Sequence, residues 1–233
     1  MSRQRIWELD ALRGLCVLGM VAVHLIYDLV EVFQVLPWTY PAWFRLIKEW
    51  GGVLFLLISG ICVTLGSRSV RRGAIVFACG MICTAVTWGL TFVGFQPSIV
   101  IWFGVLHCLG VCMMLWPLFR RLPWWALACV GAAIIGMGFY VSGLVVDTRY
   151  LIPLGLEYKD FASSDYFPLL PHLGFFLVGA ALGRTLYKNK QSLLPQISDR
   201  GWRVRPLAFC GRHSLWIYLL HQPVIYGALT VIL

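Results

Sequence analysis

The chain has 233 residues, of which 60% are hydrophobic and 12% charged, whereas soluble globular domains carry about 25% charged residues. This composition excludes an ordinary water-soluble domain and predicts an all-α polytopic membrane helix bundle of about seven transmembrane helices with a cytoplasmic N-terminus. The formal charge of +9 does not mark a nucleic-acid binder, because the cations gather at the ends of apolar runs.

Residues 1–10 do not read as a signal peptide: Glu8 and Asp10 follow Arg3 and Arg5, and no small-residue cleavage site ends the first apolar run, so the first helix is expected to stay attached. A span needs about 20 largely apolar residues. Seven are read, at 11–35, 50–67, 74–95, 99–118, 124–145, 166–187 and 208–231, within a single transmembrane domain over 1–233. In the second, Gly51, Gly52 and Gly60 suit close helix contact, and the Gly-rich spans permit homo-oligomer formation. The eight cysteines form no CxxC pair and nearly all sit inside apolar runs, so they are expected to pack as small hydrophobes, with no metal bound.

Charge sets the orientation. The N-terminus through Arg13, the 68–72 loop, the 120–121 turn and the 184–212 segment hold 15 of the 19 Lys and Arg residues, leaving Arg45, Lys48, Arg149 and Lys159 for the other side. Lys and Arg excess marks the cytoplasmic face. The expectation is a multi-pass protein of the cytoplasmic (inner) membrane, N-terminus in and C-terminus out, with the lipid bilayer as its first partner.

Within the first span, Asp10, Arg13, His24, Asp28 and Glu31 fall in a sector of roughly 60° at 100° per residue. Ionisable residues in hydrocarbon must face the bundle interior or a wet cavity, so this stripe is expected to point inward. Asp10 to His24 is about 21 Å of helix, which carries His24 past the bilayer midplane. His24 and Asp28 stand at i and i+4, where a carboxylate can orient an imidazole as a general base.

Further histidines lie within membrane segments: His107 in "WFGVLHCLGV", His172 in "SDYFPLLPHLG" and His221 in "GRHSLWIYLLHQP". Ser214, Tyr218 and His221 share a face of the last span, and Pro223 removes the amide that would bond to the Leu219 carbonyl. Pro168 and Pro171 interrupt the start of the sixth span beside Asp165. Broken helix at membrane depth is tolerated where it lines a cavity or is buried in protein.

The "ELDALRG" opening, with His24 ten residues after Gly14, resembles the membrane acyltransferases. Together with "LFLLISG", "FGVLHCLG", "SDYFPLLPHLG" and "GRHSLWIYLLHQP", it resembles the bacterial branch of the heparan-α-glucosaminide N-acetyltransferase catalytic-domain family from about residue 7 to 226. The resemblance implies transfer of an acetyl or other acyl group from cytoplasmic acyl-CoA, as co-substrate, to a glycan or lipid-linked acceptor on the outer side. It carries His24 onto the family's membrane histidine and Arg13 onto its arginine, and sets Asp165 and His221 in its later polar motifs. The animal enzymes have additional helices and a lumenal region, and this chain has no histidine between Asp28 and Trp50, where their proposed catalytic histidine lies.

On this reading Arg13, Arg71, Arg72 and Arg212 are candidate ligands for the acyl-CoA phosphates, since Arg suits bidentate phosphate contacts, with His107 also expected on the cofactor. His24, oriented by Asp28, is the expected base; His221 or Tyr218 would donate to the oxyanion, and Asp165 would complete the set. Direct transfer and an acyl-histidine intermediate both fit these residues. Two other classes are open: a proton-coupled transporter or exporter, for which inward polar residues are expected, and a b-type haem carrier using the histidines as axial ligands.

Overall fold

The computed structural model describes residues 6–196, 201–202 and 204–233, so Arg3, Arg5, Arg200 and Arg203 of the charge count lie outside the described residues. Among the described residues eight α-helices follow in order: α1 Trp7–Tyr27, α2 Ala42–Leu65, α3 Ser69–Thr91, α4 Val105–Phe119, α5 Trp124–Val141, α6 Leu169–Leu186, α7 Val204–Arg212 and α8 Ser214–Ile232. Six, all but α4 and α7, are long and apolar enough to cross a membrane. The protein is an all-α, polytopic membrane chain. Contacts divide it into two compact units, one of residues 1–58 and 189–233, the other of residues 59–188, with α2 running from one into the other.

In the first unit, α1 shows why its sequence alternates as it does. Leu12, Leu15, Leu18 and Leu25 are exposed, while Glu8, Asp10, Gly14, Val17 and Asp28 are buried. Exposed leucines at three-to-four-residue spacing suit lipid, and the acids are turned away from it. Near its end the helix widens into a π-helical turn, Asp28–Val32, closed by the Phe33 amide on the Asp28 carbonyl at 2.8 Å. The wider turn changes the angular progression, so Glu31, expected on the inward stripe, is exposed.

α1 packs on α7 and α8. The α1–α7 crossing is backbone on backbone: a Cβ added at Gly14 would lie 1.9 Å from the Leu207 carbonyl oxygen, and one at Gly211 would lie 1.7 Å from that of Asp10. The Arg-Gly pair of the opening motif therefore has a packing role, with Gly14 admitting α7 and Arg13 ion-paired to Asp10. Glu8 ties in the chain ahead of α7, accepting from Ser192 Oγ at 2.9 Å and from the Leu193 amide at 2.7 Å.

The sequence does not announce α7 as a separate helix. It is amphipathic and bears Arg205, Pro206 and Arg212, and the chain breaks at His213 before α8 begins at Ser214, not at 208. The second span likewise begins earlier than expected, at Ala42, which sets Arg45, Lys48 and Glu49 on helix; Lys48 lies over the Tyr27 and Tyr40 rings. Lysine over aromatic rings keeps its charge compensated beside apolar surface.

In the second unit α3 packs on α4, α5 on α6 and α4 on α6. The fourth span is shorter than the 99–118 read from sequence: Pro97–Ile99 is a 3₁₀ turn and the helix starts only at Val105. A short helix suffices because α4 is interior, with Leu106, Cys108, Leu109, Cys112, Met113 and Trp116 all buried. Gly60 meets the expectation of close contact, since a Cβ there would lie 2.0 Å from the Phe176 carbonyl oxygen, whereas Gly51 has nothing within 4 Å. Charge is biased in this unit: Arg68, Arg71, Arg72, Arg120, Arg121, Arg184 and Lys188 stand at one set of helix ends, and Asp147, Glu157, Asp160 and Asp165, with Arg149 and Lys159 among them, lie in the segments flanking the opposite ends. Arg184 closes the α4–α5 turn by donating to the carbonyls of Arg120 and Leu122.

Candidate active site at the α1–α8 crossing

Four polar side chains meet where α1 crosses α8 in the first unit. The rings of His24 and His221 stand edge to face, with centroids 4.8 Å apart and planes at 72°. On α8, the next residue, Gln222, donates from Nε2 to both carboxylate oxygens of Asp28, at 3.0 and 2.9 Å. Asp28 is fully buried, and Gln222 is its hydrogen-bond partner. The i,i+4 spacing read from sequence pairs Asp28 with His24; the structure gives its carboxylate to Gln222, because Asp28 opens the π-helical turn and α8 lies alongside.

The protonation of His221 follows from its partner. Nδ1 is 2.6 Å from the Tyr218 carbonyl oxygen, which can only accept, so Nδ1 carries the hydrogen. In the neutral ring Nε2 is then a bare lone pair. That atom is buried and has no hydrogen-bond partner among the described residues, and the same is true of Gln222 Oε1. The Gln222 amide also lies beside His24. Buried polar atoms are almost always satisfied, so two unpartnered acceptors on adjacent residues single out this crossing. The contribution of Tyr218 seen here is its carbonyl, which fixes the tautomer, and its ring, centred 5.6 Å from that of His221.

A lone pair on Nε2 can accept a proton, and the ring that faces it is that of His24. Sequence reading does not single out Gln222, since an uncharged amide in "LLHQP" carries no titration signal; its position next to His221 is the available hint.

The other expected site residues are placed as follows. Arg13 is engaged by Asp10, and Arg212 is exposed at the end of α7. In the second unit Arg71 and Arg72 are exposed on the first turn of α3. His107 is fully occupied by the chain: Nδ1 accepts from the Gly104 amide at 3.2 Å, which leaves Nε2–H to meet Thr84 Oγ1 at 3.2 Å, and that hydroxyl donates to the Ile101 carbonyl at 2.5 Å. It caps α4, and the geometry favours this over a place on a cofactor. Asp165 serves the same helix, its Oδ2 accepting from the Val105 amide at 3.1 Å, where a carboxylate also meets the positive end of the helix dipole. Asp165→Ala is expected to lower unfolding stability by about 0.5–2 kcal/mol, the range for loss of a capping side chain, read as a drop in Tm of the purified protein in detergent.

Residues 5–223 match the family described as heparan-alpha-glucosaminide N-acetyltransferase, catalytic, which covers nearly the whole chain and both units. Neither a curated protein nor a solved structure matches the chain. With "ELDALRG" at the α1–α7 contact and "LLHQP" at the α1–α8 crossing, both inside the matched region, the chain belongs to the heparan-α-glucosaminide N-acetyltransferase catalytic family.

Proposed function

We propose that the protein is an acyl-CoA-dependent membrane acyltransferase that modifies a sugar or cell-envelope acceptor on the outer side of the cytoplasmic membrane, with its N-terminus inside and C-terminus outside. The observation that carries this reading is the buried, unpartnered Nε2 of His221 facing His24 in a chain of a transferase family. The excess of Lys and Arg at alternate helix ends supports the orientation.

In the proposed reaction the acceptor's hydroxyl or amine attacks the thioester carbonyl. Its proton passes to His221 Nε2, a bond forms from the acceptor oxygen or nitrogen to the acyl carbon, and the carbon–sulfur bond breaks to release CoA, which regains the proton. The Tyr218 carbonyl holds the Nδ1–H as positive charge develops on the ring. His24, whose ring meets that of His221, would steady the developing oxyanion. Cations that suit the CoA phosphates are exposed in each unit, Arg212 in the first and Arg71 and Arg72 in the second.

The test is to give membranes carrying the protein labelled acetyl-CoA with glucosamine or a glucosamine-ended oligosaccharide, and to identify the products. Label recovered in an acetylated sugar or envelope component is the expected result. Solute uptake by proteoliposomes without any acyl-CoA, and no labelled product, would replace the transferase reading with a transporter.

A further inference from the structure

The α1–α8 crossing contains a second feature that general base chemistry does not use. Gln222 Nε2 reaches both oxygens of Asp28, and this settles which end of the amide faces which way. The NH₂ group has two hydrogens to give, one toward each oxygen, and Oε1 has none, so the amide presents its nitrogen to Asp28. The carbonyl end is thereby turned away from Asp28, and it is this atom that is buried without a partner among the described residues. On the preceding residue, the tautomer imposed by the Tyr218 carbonyl leaves His221 Nε2 in the same condition. Two separate hydrogen-bond constraints, one on each residue, thus end in a bare acceptor.

From this we infer that Gln222 is a specificity-determining residue of the site, whose Oε1, aimed by Asp28, receives a hydrogen of the protic group that reacts at His221 Nε2. The ligand class is a hydrogen-bond donor, a hydroxyl or an amine; an acceptor-only group such as a carboxylate would meet two lone pairs and be excluded. Asp28 acts through Gln222 as a positioning residue. The inference rests on the transferase reading, because it assigns the roles of residues around that reaction.

Q222L set against D28N/Q222E separates this role from a purely structural brace. Leucine removes the acceptor, whereas the double variant restores an amide–carboxylate pair with its ends exchanged, keeps the helices tied and leaves one Glu oxygen as acceptor. Transfer of label from acetyl-CoA to glucosamine by the purified protein is the readout, with Tm measured alongside. The expected result for Q222L is a kcat/KM for glucosamine lowered about 10- to 100-fold, the effect of one lost buried hydrogen bond, with the KM for acetyl-CoA unchanged. D28N/Q222E should recover about tenfold over Q222L. Parental kinetics in Q222L with only a lower Tm would overturn the inference and leave the transferase reading standing; no transfer by the parental protein would overturn both. Should Q222L not yield folded protein, Q222E alone decides, since a proton shared with Asp28 keeps the pair and a free oxygen: a kcat/KM for glucosamine lowered about tenfold or more at parental Tm would count against the assignment.

Discussion

His221→Ala is expected to lower acyl transfer by about 10²- to 10⁴-fold, the usual contribution of a positioned general base, while acyl-CoA binding is largely retained. The magnitude follows from the atom removed. His221 Nε2 is a buried lone pair whose availability is imposed from the far side of the ring by the Tyr218 carbonyl, so no reorganisation is needed before it takes a proton. His221→Gln should not rescue, because an amide can fill the space and accept a hydrogen bond but cannot carry the proton away. His24→Ala is expected to cost less than His221→Ala, since it faces the base rather than being it. Rates of labelled acetyl transfer by the three purified variants, with acetyl-CoA binding measured separately, decide the order. Equal activity in His221→Ala and the parental protein would remove His221 from the chemistry.

Gly14→Val or Gly211→Val is expected to abolish folded protein, not merely activity. A Cβ at either position would lie within 2 Å of a main-chain carbonyl oxygen on the facing helix, 1.9 Å at Gly14 and 1.7 Å at Gly211. Main chain cannot swing aside as a flexible side chain does, so α1 and α7 would have to part. Parting them exposes Asp10 and Glu8, buried at the same end of α1, and strips Glu8 of its bonds to Ser192 and Leu193. Leaving a buried hydrogen-bonding group without its partner typically costs about 1–3 kcal/mol, and more for a charged one, a large part of the stability of most domains. Gly51→Val, where nothing lies within 4 Å, is the matched control and should fold. Size-exclusion profiles of detergent extracts distinguish the three variants; a monodisperse peak from Gly14→Val at parental yield would show the crossing to be looser than described.

The spans are legible in the sequence because lipid imposes a single demand, about 20 apolar residues per crossing, and the described residues meet it six times over. The inward face of α1 is legible through Arg13, His24 and Asp28, since charge in hydrocarbon has few places to go. What escapes depends on neighbours distant in sequence. The π-helical turn at Asp28–Val32 breaks the 100° progression and turns Glu31 outward, which an ideal helix does not foresee. Asp28 looks like the partner of His24 by local spacing, but Gln222 lies 194 residues away along the chain. Asp165 and His107 look chemical because they are ionisable in apolar surroundings; both are held by the start of α4, Asp165 across 60 residues of sequence. An interior helix start needs its amides satisfied as much as a reaction needs a base, and sequence alone does not separate these uses.

The state of His221 Nε2 is read most directly by nitrogen NMR of the protein labelled at histidine and reconstituted in lipid nanodiscs near neutral pH. A neutral ring with hydrogen on Nδ1 and a bare Nε2, the latter shifting when glucosamine is added, is the predicted result. A hydrogen on Nε2 in the neutral ring would contradict it, for the site would then present a donor where the chemistry requires an acceptor.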